Sequence, residues 1–320
     1  MKKVLIIQPI HEAGLNVLRR EADLAYEVVT DLAGDHLKAK VKDADAIIVR
    51  TARLGAEAIE AARKLRIVSR HGVGYDNVDV AALTRRRIPL TVIGDVNAVT
   101  VAEHALYMML TLARRGLGYD RAVRAGHFDI RETWATAELW RKKALILGLG
   151  RIGREVARRC RGFDMEVLVY DPYIPRQAVA NAGLRRVEAL RAGLGDADYV
   201  TLHLPLTEET RNLIGRAELA AMKPTAFLVN TARGGVVDEG ALQWALRSGE
   251  IAGAGLDTFV DEPPKPDDPL LQLDNVVLSP HCASLTAECA ARMAIAAAEN
   301  VVRGLEGKPD ARLVVNQAVL

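Results

Sequence analysis

Short apolar runs alternate along the whole chain with segments whose apolar positions recur at helical spacing. Apolar runs of this kind predict strands that are buried on both faces, as in parallel sheets. In the first part of the chain the predicted strands are Val4–Gln8, Ala46–Val49, Ile67–Ser69 and Leu90–Val92. The helices predicted between them are Glu12–Glu21, Ala56–Ala62 and Val80–Arg87. This alternation is typical of an α/β domain with helices on both sides of the sheet.

The pattern then changes and starts again. A long helix is predicted from Thr100 to Leu117, and the polar stretch from Gly118 to Trp140 is predicted to be irregular. The strands predicted after it are Ala144–Gly148, Glu166–Tyr170, Tyr199–Leu202, Ala226–Asn230, Gly253–Asp257 and Val276–Leu278. An Ala-rich helix from Thr286 to Leu305 closes the chain and could return to the first domain. The predicted fold class is therefore α/β, with two doubly wound parallel-sheet domains.

Composition and charge exclude several classes of protein. The 320 residues carry a formal net charge of +2, and the basic residues are spread along the chain. A nucleic-acid partner is not expected, because it would need a clustered basic face. No apolar run approaches the roughly 20 residues that a membrane span needs, so no membrane partner is expected. Three cysteines without metal-ligand spacing, Cys160, Cys282 and Cys289, predict no metal site and a reducing, cytoplasmic location.

The strongest local motif is the run GLGRIG, Gly148 to Gly153, between a predicted strand and a predicted helix. In such a turn Gly148 permits the tight bend, Gly150 lets a pyrophosphate approach the backbone, and Gly153 lets the helix pack against the strand. The free N–H groups at the helix start then face the phosphates. This context predicts a dinucleotide-binding site rather than an unrelated glycine turn.

An acidic residue completes this predicted site. Asp171 ends the next strand, 18 residues after Gly153, where a carboxylate accepts hydrogen bonds from the adenosine ribose. Its charge would repel a 2′-phosphate, and the residues after it supply no arginine. NAD is therefore the predicted cofactor.

Three polar groups follow successive strands in the second half of the chain. Arg233, Glu262 and His281 each come soon after a predicted strand, at the sheet edge where ligands of open α/β sheets bind. Reduction of a 2-oxo acid needs such a set: a cation for the carboxylate, a general acid, and a group that keeps the acid protonated. Taken alone, Arg233 could instead cap a helix or pair with Asp238.

The ordered motifs of the chain resemble the D-isomer-specific 2-hydroxyacid dehydrogenases, closest to their phosphoglycerate dehydrogenase and hydroxypyruvate reductase branches. In the second half the resemblance rests on GLGRIG, YDP, HLPLT, NTARGGVVDE, DTFVDEP and SPH. In the first half it rests on VRT, RHGVGYDNV and VAEH, so it covers nearly the whole chain.

The resemblance implies a role for each catalytic candidate. Arg233 would bind the carboxylate and carbonyl of the substrate. His281 would be the acid in reduction and the base in oxidation. Glu262 would pair with His281 and raise its pKa. The implied activity is NAD-dependent interconversion of a small D-2-hydroxy acid and its 2-oxo acid.

The resemblance also implies the remaining contacts and the division into domains. The substrate-binding residues would be Val73, Gly74, Asn97, Arg50 and Arg70. Besides the glycines and Asp171, the cofactor would be bound by Arg151, Ile152, Leu204, Pro205, Thr231, Ala232, Asp257, His281 and Ala283. A discontinuous substrate domain would take residues 1–99 plus 285–320, and a Rossmann NAD-binding domain would take residues 100–284, with the active site between them.

The substrate is left open between two alternatives. Arg50 and Arg70 fall where phosphoglycerate dehydrogenases carry arginines, which favours a phosphorylated acid, whereas Asp95 adds negative charge nearby and favours a glyoxylate or hydroxypyruvate reductase. A third alternative is a non-catalytic protein that senses NADH. By the same resemblance, the long helix and the irregular stretch after it would form the interface of a homodimer.

Overall fold

The computed structural model describes residues 1–320, which divide into two compact units. The first unit consists of Met1–Asn97 together with Leu285–Leu320, and the second consists of Ala98–Ser284. None of the helices is both long enough and apolar enough to cross a membrane.

The first unit is built on a sheet of five parallel strands. In chain order they are β1 (Lys2–Ile7), β2 (Leu24–Val29), β3 (Ala46–Val49), β4 (Ile67–Arg70) and β5 (Leu90–Thr91). The spatial order is β2-β1-β3-β4-β5. The direction of winding reverses between β1 and β3, so helices cover both faces of the sheet.

Five helices of the first unit cover this sheet. They are α1 (Glu12–Arg19), α2 (Gly34–Val41), α3 (Ala56–Ala61), α4 (Val80–Arg85) and, from the end of the chain, α12 (Ala287–Leu305). Alternate residues of β1 enter two different cores. Val4 and Ile6 pack towards α1 and α12, and Leu5 and Ile7 pack towards α2, α3 and α4.

The end of the chain is an integral part of the first unit. Helix α12 lies so close to α1 that a Cβ placed on Gly14 would come within 2.6 Å of the Ala294 carbonyl oxygen. Beyond α12, the backbone of Val314 forms an antiparallel bridge with Thr91. The buried Asn316 accepts the Leu90 N–H through its side-chain oxygen at 2.8 Å.

The second unit is built on a sheet of seven parallel strands. They are β6 (Lys143–Leu147), β7 (Glu166–Tyr170), β8 (Arg185–Arg186), β9 (Tyr199–Leu202), β10 (Phe227–Asn230), β11 (Gly253–Leu256) and β12 (Val276–Leu278). The spatial order is β12-β11-β10-β9-β6-β7-β8. Because β9 returns to the other side of β6, the winding reverses at β6 and leaves a crevice at the carboxyl end of that strand.

Seven helices belong to the second unit. They are α5 (Ala98–Ala113), α6 (Gly116–Arg124), α7 (Arg151–Gly162), α8 (Arg176–Asn181), α9 (Leu190–Asp196), α10 (Arg216–Ala220) and α11 (Glu239–Ser248). Alternate residues of β6 again enter two cores, one shared with α5 and α7 and one shared with α9, α10 and α11. The predicted fold class, two doubly wound α/β sheets, is confirmed.

The structure differs from the sequence prediction in one large segment and two edge strands. The stretch from Gly118 to Trp140, predicted as irregular, contains most of α6 and a 3₁₀ turn at Phe128–Thr133. Helix α6 has no buried residue, and its sequence, GLGYDRAVR, carries Gly116 and Gly118, which are poor helix formers. Strands β2 and β8, which were not predicted, lie at sheet edges and have few fully buried positions.

Candidate active site

Arg233 lies in a turn that follows β10 and is fixed by the last residue of that strand. The side chain of Asn230 accepts the N–H of Ala232 at 3.0 Å and donates to the carbonyl of Arg233 at 2.8 Å. The guanidinium of Arg233 donates to the Ala232 carbonyl at 2.8 Å. Asp238, the alternative partner of Arg233, accepts the N–H of Ala241 and caps helix α11 instead.

Glu262 and His281 form a direct pair. The Oε2 atom of Glu262 lies 2.7 Å from Nδ1 of His281, and its Oε1 atom accepts the N–H of Phe259 at 3.2 Å. Burial alone would raise the pKa of Glu262, but the bond and charge of His281, the Phe259 N–H and the charge of Arg233 together lower it. The structure thus brings the three predicted catalytic residues into one electrostatic cluster, in which Glu262 is ionised at neutral pH.

The loop that carries His281 is held by a buried carboxylate. His281 has a left-handed backbone, with φ of 50°, and its N–H donates to the Asp257 carbonyl at 2.7 Å. The carboxylate of Asp257 accepts Ser279 Oγ at 2.5 Å and the N–H groups of Cys282 and Ala283 at 2.9 Å each. A carboxylate offers about four acceptor positions. Asp257 therefore keeps one position for a donor on a ligand.

His104 extends this network from the neighbouring helix. Its Nε2 atom lies 2.8 Å from Ser279 Oγ. From the sequence alone a packing role is the simpler interpretation of His104, because it lies within the apolar pattern of α5. The signal that could have revealed the contact is its position in the VAEH motif, but spacing alone does not identify the partner.

The glycine turn after β6 has the geometry of a dinucleotide site. Gly148 has φ of 91°, and a Cβ placed on it would lie 2.6 Å from the His203 carbonyl oxygen. A Cβ on Gly153 would lie 2.0 Å from the Gly148 carbonyl oxygen, whereas one on Gly150 would meet no protein atom within 4 Å. Gly148 and Gly153 must therefore be glycine because a side chain at either position would collide with the protein backbone. The open space at Gly150, the residue before α7, fits a pyrophosphate at the start of that helix.

Asp171 is joined to this turn directly. One carboxylate oxygen accepts the N–H of Leu149 at 2.9 Å, and the other accepts the N–H of Tyr173 at 3.0 Å. Asp171 therefore lies beside the glycine turn, at the carboxyl end of β7, where the sequence places the ribose-binding acid. Both oxygens keep acceptor capacity for a hydroxyl group.

Two more segments with predicted cofactor contacts lie at the same sheet edge. The side chain of Leu204, next to Pro205, approaches Gly148 so closely that a Cβ there would lie 2.8 Å from it. The hydroxyl of Thr231, next to Ala232, is buried without a hydrogen-bond partner. A buried hydroxyl of this kind is costly unless a ligand pairs with it, so it fits a site for a polar cofactor.

We expect Gly153→Ala to weaken NADH binding at least about tenfold, because an added methyl group in a packed contact costs about 1–3 kcal/mol. The methyl group would push α7 away from the Gly148 carbonyl oxygen that it now contacts. NADH fluorescence titration measures the effect. Gly162→Ala, at the other end of α7 and with open space around it, is the matched control and should bind NADH as the wild type does.

The residues predicted to bind substrate lie in the first unit, where Arg70 supports a loop. The buried Arg70 is the last residue of β4, and its side chain folds back so that the guanidinium donates to the His71 carbonyl. A Cβ on Gly72, whose φ is 155°, would collide with that guanidinium. Val73 and Gly74, predicted to bind a carboxylate through their amides, follow directly in the same half-buried loop.

Arg50 and Asn97 belong to the same unit. Arg50 donates to the Pro9 carbonyl at 2.8 Å. Burial, and then the charges of Arg50 and Arg70, lower the pKa of His71 to about 4, so the imidazole between them is neutral at pH 7. The side-chain oxygen of the buried Asn97 has no hydrogen-bond partner. Two cations and an unpaired amide oxygen are thus present where the sequence predicts substrate binding.

Comparison with known proteins agrees with this geometry. Residues 106–283 match the family described as D-isomer specific 2-hydroxyacid dehydrogenase, NAD binding domain. D-3-phosphoglycerate dehydrogenase of Archaeoglobus fulgidus is 40% identical over 96% of this chain, which spans 58% of that relative's length. Glyoxylate reductase of Korarchaeum cryptofilum is 42% identical over 99% of this chain and 97% of its own length.

A solved structure gives the same result. D-lactate dehydrogenase from Aquifex aeolicus, complexed with NAD and lactic acid, superimposes with a TM-score of 0.88. It is 29% identical, and the match covers 98% of this chain and 99% of that one. The chain belongs to the D-isomer-specific 2-hydroxyacid dehydrogenase family, and its second unit contains the NAD-binding domain of that family. The predicted family and the predicted cofactor, NAD, are confirmed.

Proposed function

We propose that the protein is an NAD-dependent dehydrogenase that interconverts a small D-2-hydroxy acid and its 2-oxo acid. The observation that carries the proposal is the pair of Glu262 and His281, with Nδ1 of the imidazole 2.7 Å from the carboxylate and Arg233 in the same cluster. An acid–base group held by a carboxylate beside a cation is what carbonyl reduction requires.

Each residue of the cluster has one task in the proposed reaction. Because Glu262 occupies Nδ1 of His281, the Nε2 atom remains to donate a proton to the carbonyl oxygen of the 2-oxo acid. The ionised Glu262 favours the imidazolium form from which that proton comes. Arg233 binds the carboxylate and polarises the carbonyl through its two-pronged guanidinium. The nicotinamide supplies the hydride in reduction and accepts it in oxidation.

The cofactor and substrate contacts follow from the same positions. The turn from Gly148 to Gly153, with Arg151 and Ile152 at the start of α7, binds the pyrophosphate, and Asp171 binds the adenosine ribose and favours NAD over NADP. Asp257 uses its remaining acceptor position for the nicotinamide carboxamide. The other proposed cofactor contacts are Leu204, Pro205, Thr231, Ala232, His281 and Ala283. The amides of Val73 and Gly74 bind the substrate carboxylate, and Asn97 lies nearby in the substrate site.

Two substrate classes fit the proposed reaction, and they differ in whether the end of the acid remote from its carboxylate carries a phosphate. If Arg50 and Arg70 bind a phosphate, the enzyme is a phosphoglycerate dehydrogenase; if they only support their own loop, it is a glyoxylate or hydroxypyruvate reductase. The contact of Arg70 with the His71 carbonyl favours the supporting role for that residue. Arg50 is therefore the better probe of a phosphate.

NADH oxidation followed at 340 nm tests the proposal. Phosphohydroxypyruvate, hydroxypyruvate, glyoxylate, pyruvate and 2-oxoglutarate are compared in parallel, each with the wild type and with Arg50→Ala. Preference for the phosphorylated acid that is lost in Arg50→Ala identifies a phosphoglycerate dehydrogenase. Equal activity of the two proteins on glyoxylate or hydroxypyruvate identifies a reductase. A protein that binds NADH but oxidises it with none of the acids is an NADH-binding module, which contradicts the proposal.

The active form is proposed to be a homodimer. Large apolar side chains are exposed on and after helices α5 and α6, namely Tyr107, Leu117, Val123, Phe128 and Trp134. Several large exposed apolar side chains within one stretch of chain are what a protein–protein interface would cover. Static light scattering at micromolar concentration should give twice the mass of the chain. The cytoplasmic location expected from the sequence stays a prediction.

A further inference from the structure

Glu239 contacts the loop that carries Glu262, although the proposed reaction assigns it no role. It is the first residue of α11, and its Oε1 atom accepts the N–H of Val260 at 2.7 Å. Val260 lies two residues before Glu262 in the same loop. The carboxylate of Glu239 therefore binds the backbone of the loop and not a side chain.

The surroundings of Glu239 are unfavourable for a charge. Burial, and then the negative charges of Asp268, Asp261 and Asp238, raise its pKa, and the Val260 N–H only partly offsets them. A half-buried carboxylate among three other carboxylates costs stability. The one favourable contact of the Glu239 carboxylate in this position is its hydrogen bond with the Val260 N–H.

The same peptide is fixed from a second side by Gly234. A Cβ placed on Gly234 would lie 2.0 Å from the carbonyl carbon of Phe259 and 2.3 Å from the nitrogen of Val260. The turn that carries Arg233 therefore rests directly on the peptide between Phe259 and Val260. With Gly234 against this peptide and Glu239 on its N–H, its position is closely restricted.

The adjoining peptide, between Thr258 and Phe259, contacts Glu262 itself. The N–H of Phe259 donates to Oε1 of Glu262 at 3.2 Å, and Oε2 of Glu262 lies 2.7 Å from Nδ1 of His281. Consecutive N–H groups of the loop thus donate to the two glutamates: that of Phe259 donates to Glu262 and that of Val260 donates to Glu239. A shift of the loop would move Glu262 away from the imidazole.

We propose that Glu239 is a positioning residue, which holds the Phe259–Val260 peptide so that Glu262 keeps its hydrogen bond to His281. The proposal rests on the proposed function, in which His281 is the acid–base residue. Glu239 acts as a hydrogen-bond acceptor of the right length, and its charge is not what the loop requires.

Three substitutions separate length from charge. Glu239→Gln keeps the length and an acceptor oxygen but removes the charge. Glu239→Asp keeps the charge but withdraws the acceptor, and Glu239→Ala removes both. Asp261→Asn is the matched control, because it removes an equal charge from an exposed residue of the same loop that makes no side-chain hydrogen bond.

We expect Glu239→Ala and Glu239→Asp to lower kcat about tenfold, since small displacements of a catalytic pair are costly. The basic limb of the rate profile for 2-oxo acid reduction should move to lower pH, and KM for NADH should not change. Glu239→Gln and Asp261→Asn should keep kcat within about twofold of the wild type, because the acceptor and the loop position are kept. Thermal melting of each variant identifies any loss of folding.

Two results would overturn the proposal. One is a Glu239→Asp protein with the wild-type kcat and rate profile, and the other is a Glu239→Gln protein as impaired as Glu239→Asp. A second readout does not need turnover: the nitrogen NMR signal of His281 Nδ1 in the cofactor-free protein, assigned with His281→Ala, which reports the hydrogen bond to Glu262. This signal should shift in Glu239→Asp and not in Glu239→Gln. If no 2-oxo acid is reduced, the proposed function fails, while this signal still decides the role of Glu239.

Discussion

Replacing Arg233 by alanine is expected to lower kcat/KM for the 2-oxo acid by about a thousandfold, the scale of losing a preorganised donor to a developing oxyanion. The guanidinium is the cation of the cluster, and the Asn230 side chain fixes the turn around it. The turn should survive, because Asn230 bonds the backbone of Ala232 and Arg233 and does not use the lost side chain. NADH should therefore bind with nearly the wild-type Kd, measured by fluorescence titration.

Two further variants test the reason for that loss. Arg233→Lys keeps the charge but not the planar fork, so it should recover only part of the activity. Arg247→Ala removes an exposed arginine from helix α11 and should have no effect on kcat/KM. A fully active Arg233→Lys protein would show that charge alone is sufficient, and an active Arg233→Ala protein would remove Arg233 from the proposed site.

The second large effect is expected at His281, where alanine should lower the rate of reduction by about 10²–10⁴-fold, the usual contribution of a general acid. In the proposed reaction the imidazolium gives the proton when the 2-oxo acid is reduced by hydride, and the neutral imidazole takes the proton when the hydroxy acid is oxidised. Reduction should therefore slow at high pH, and oxidation should slow at low pH. Both limbs should disappear in His281→Ala.

Glu262→Gln tests whether the carboxylate beside His281 affects the pH dependence of the rate. Burial would raise the pKa of Glu262, but His281, the Phe259 N–H and Arg233 together lower it, so its charge persists to acidic pH. Removing that charge makes the imidazolium less favourable. Both limbs should then move to lower pH in Glu262→Gln. His36→Ala, a change at an exposed histidine of α2, should leave the profile where it is; unchanged limbs in Glu262→Gln would separate this carboxylate from the acid–base step.

The sequence was most informative for strands in which most residues are buried. Strands β3, β7, β9 and β12 have the predicted bounds, because an uninterrupted apolar run is a strong signal of a strand buried on both faces. Strand β2 (Leu24–Val29) was missed because its residues are mostly half-exposed, as is usual at a sheet edge. Helix α6 was missed because it is short, has no buried residue and includes Gly116 and Gly118, which are poor helix formers.

The candidate site divides in the same way. Arg233, Glu262 and His281 could be predicted because each follows a strand, and parallel strands end at the same edge of the sheet. Glu239 and His104 could not, since each acts through a partner whose position depends on the fold: a backbone N–H for Glu239 and a serine hydroxyl for His104. A single sequence shows which side chains exist near a loop but not which backbone groups they reach.

The division of the first unit between the two ends of the chain has a consequence for synthesis. Residues 1–97 leave the ribosome before α12, which covers part of one face of their sheet and follows the second unit in sequence. Val4, Ile6 and Ile48 therefore lack the apolar cover that α12 supplies until the second unit has been synthesised. The second unit is continuous in sequence and can fold while the first waits. In a nascent chain the second unit should thus complete its structure before the first, and the need for chaperones should be greatest just before α12 emerges.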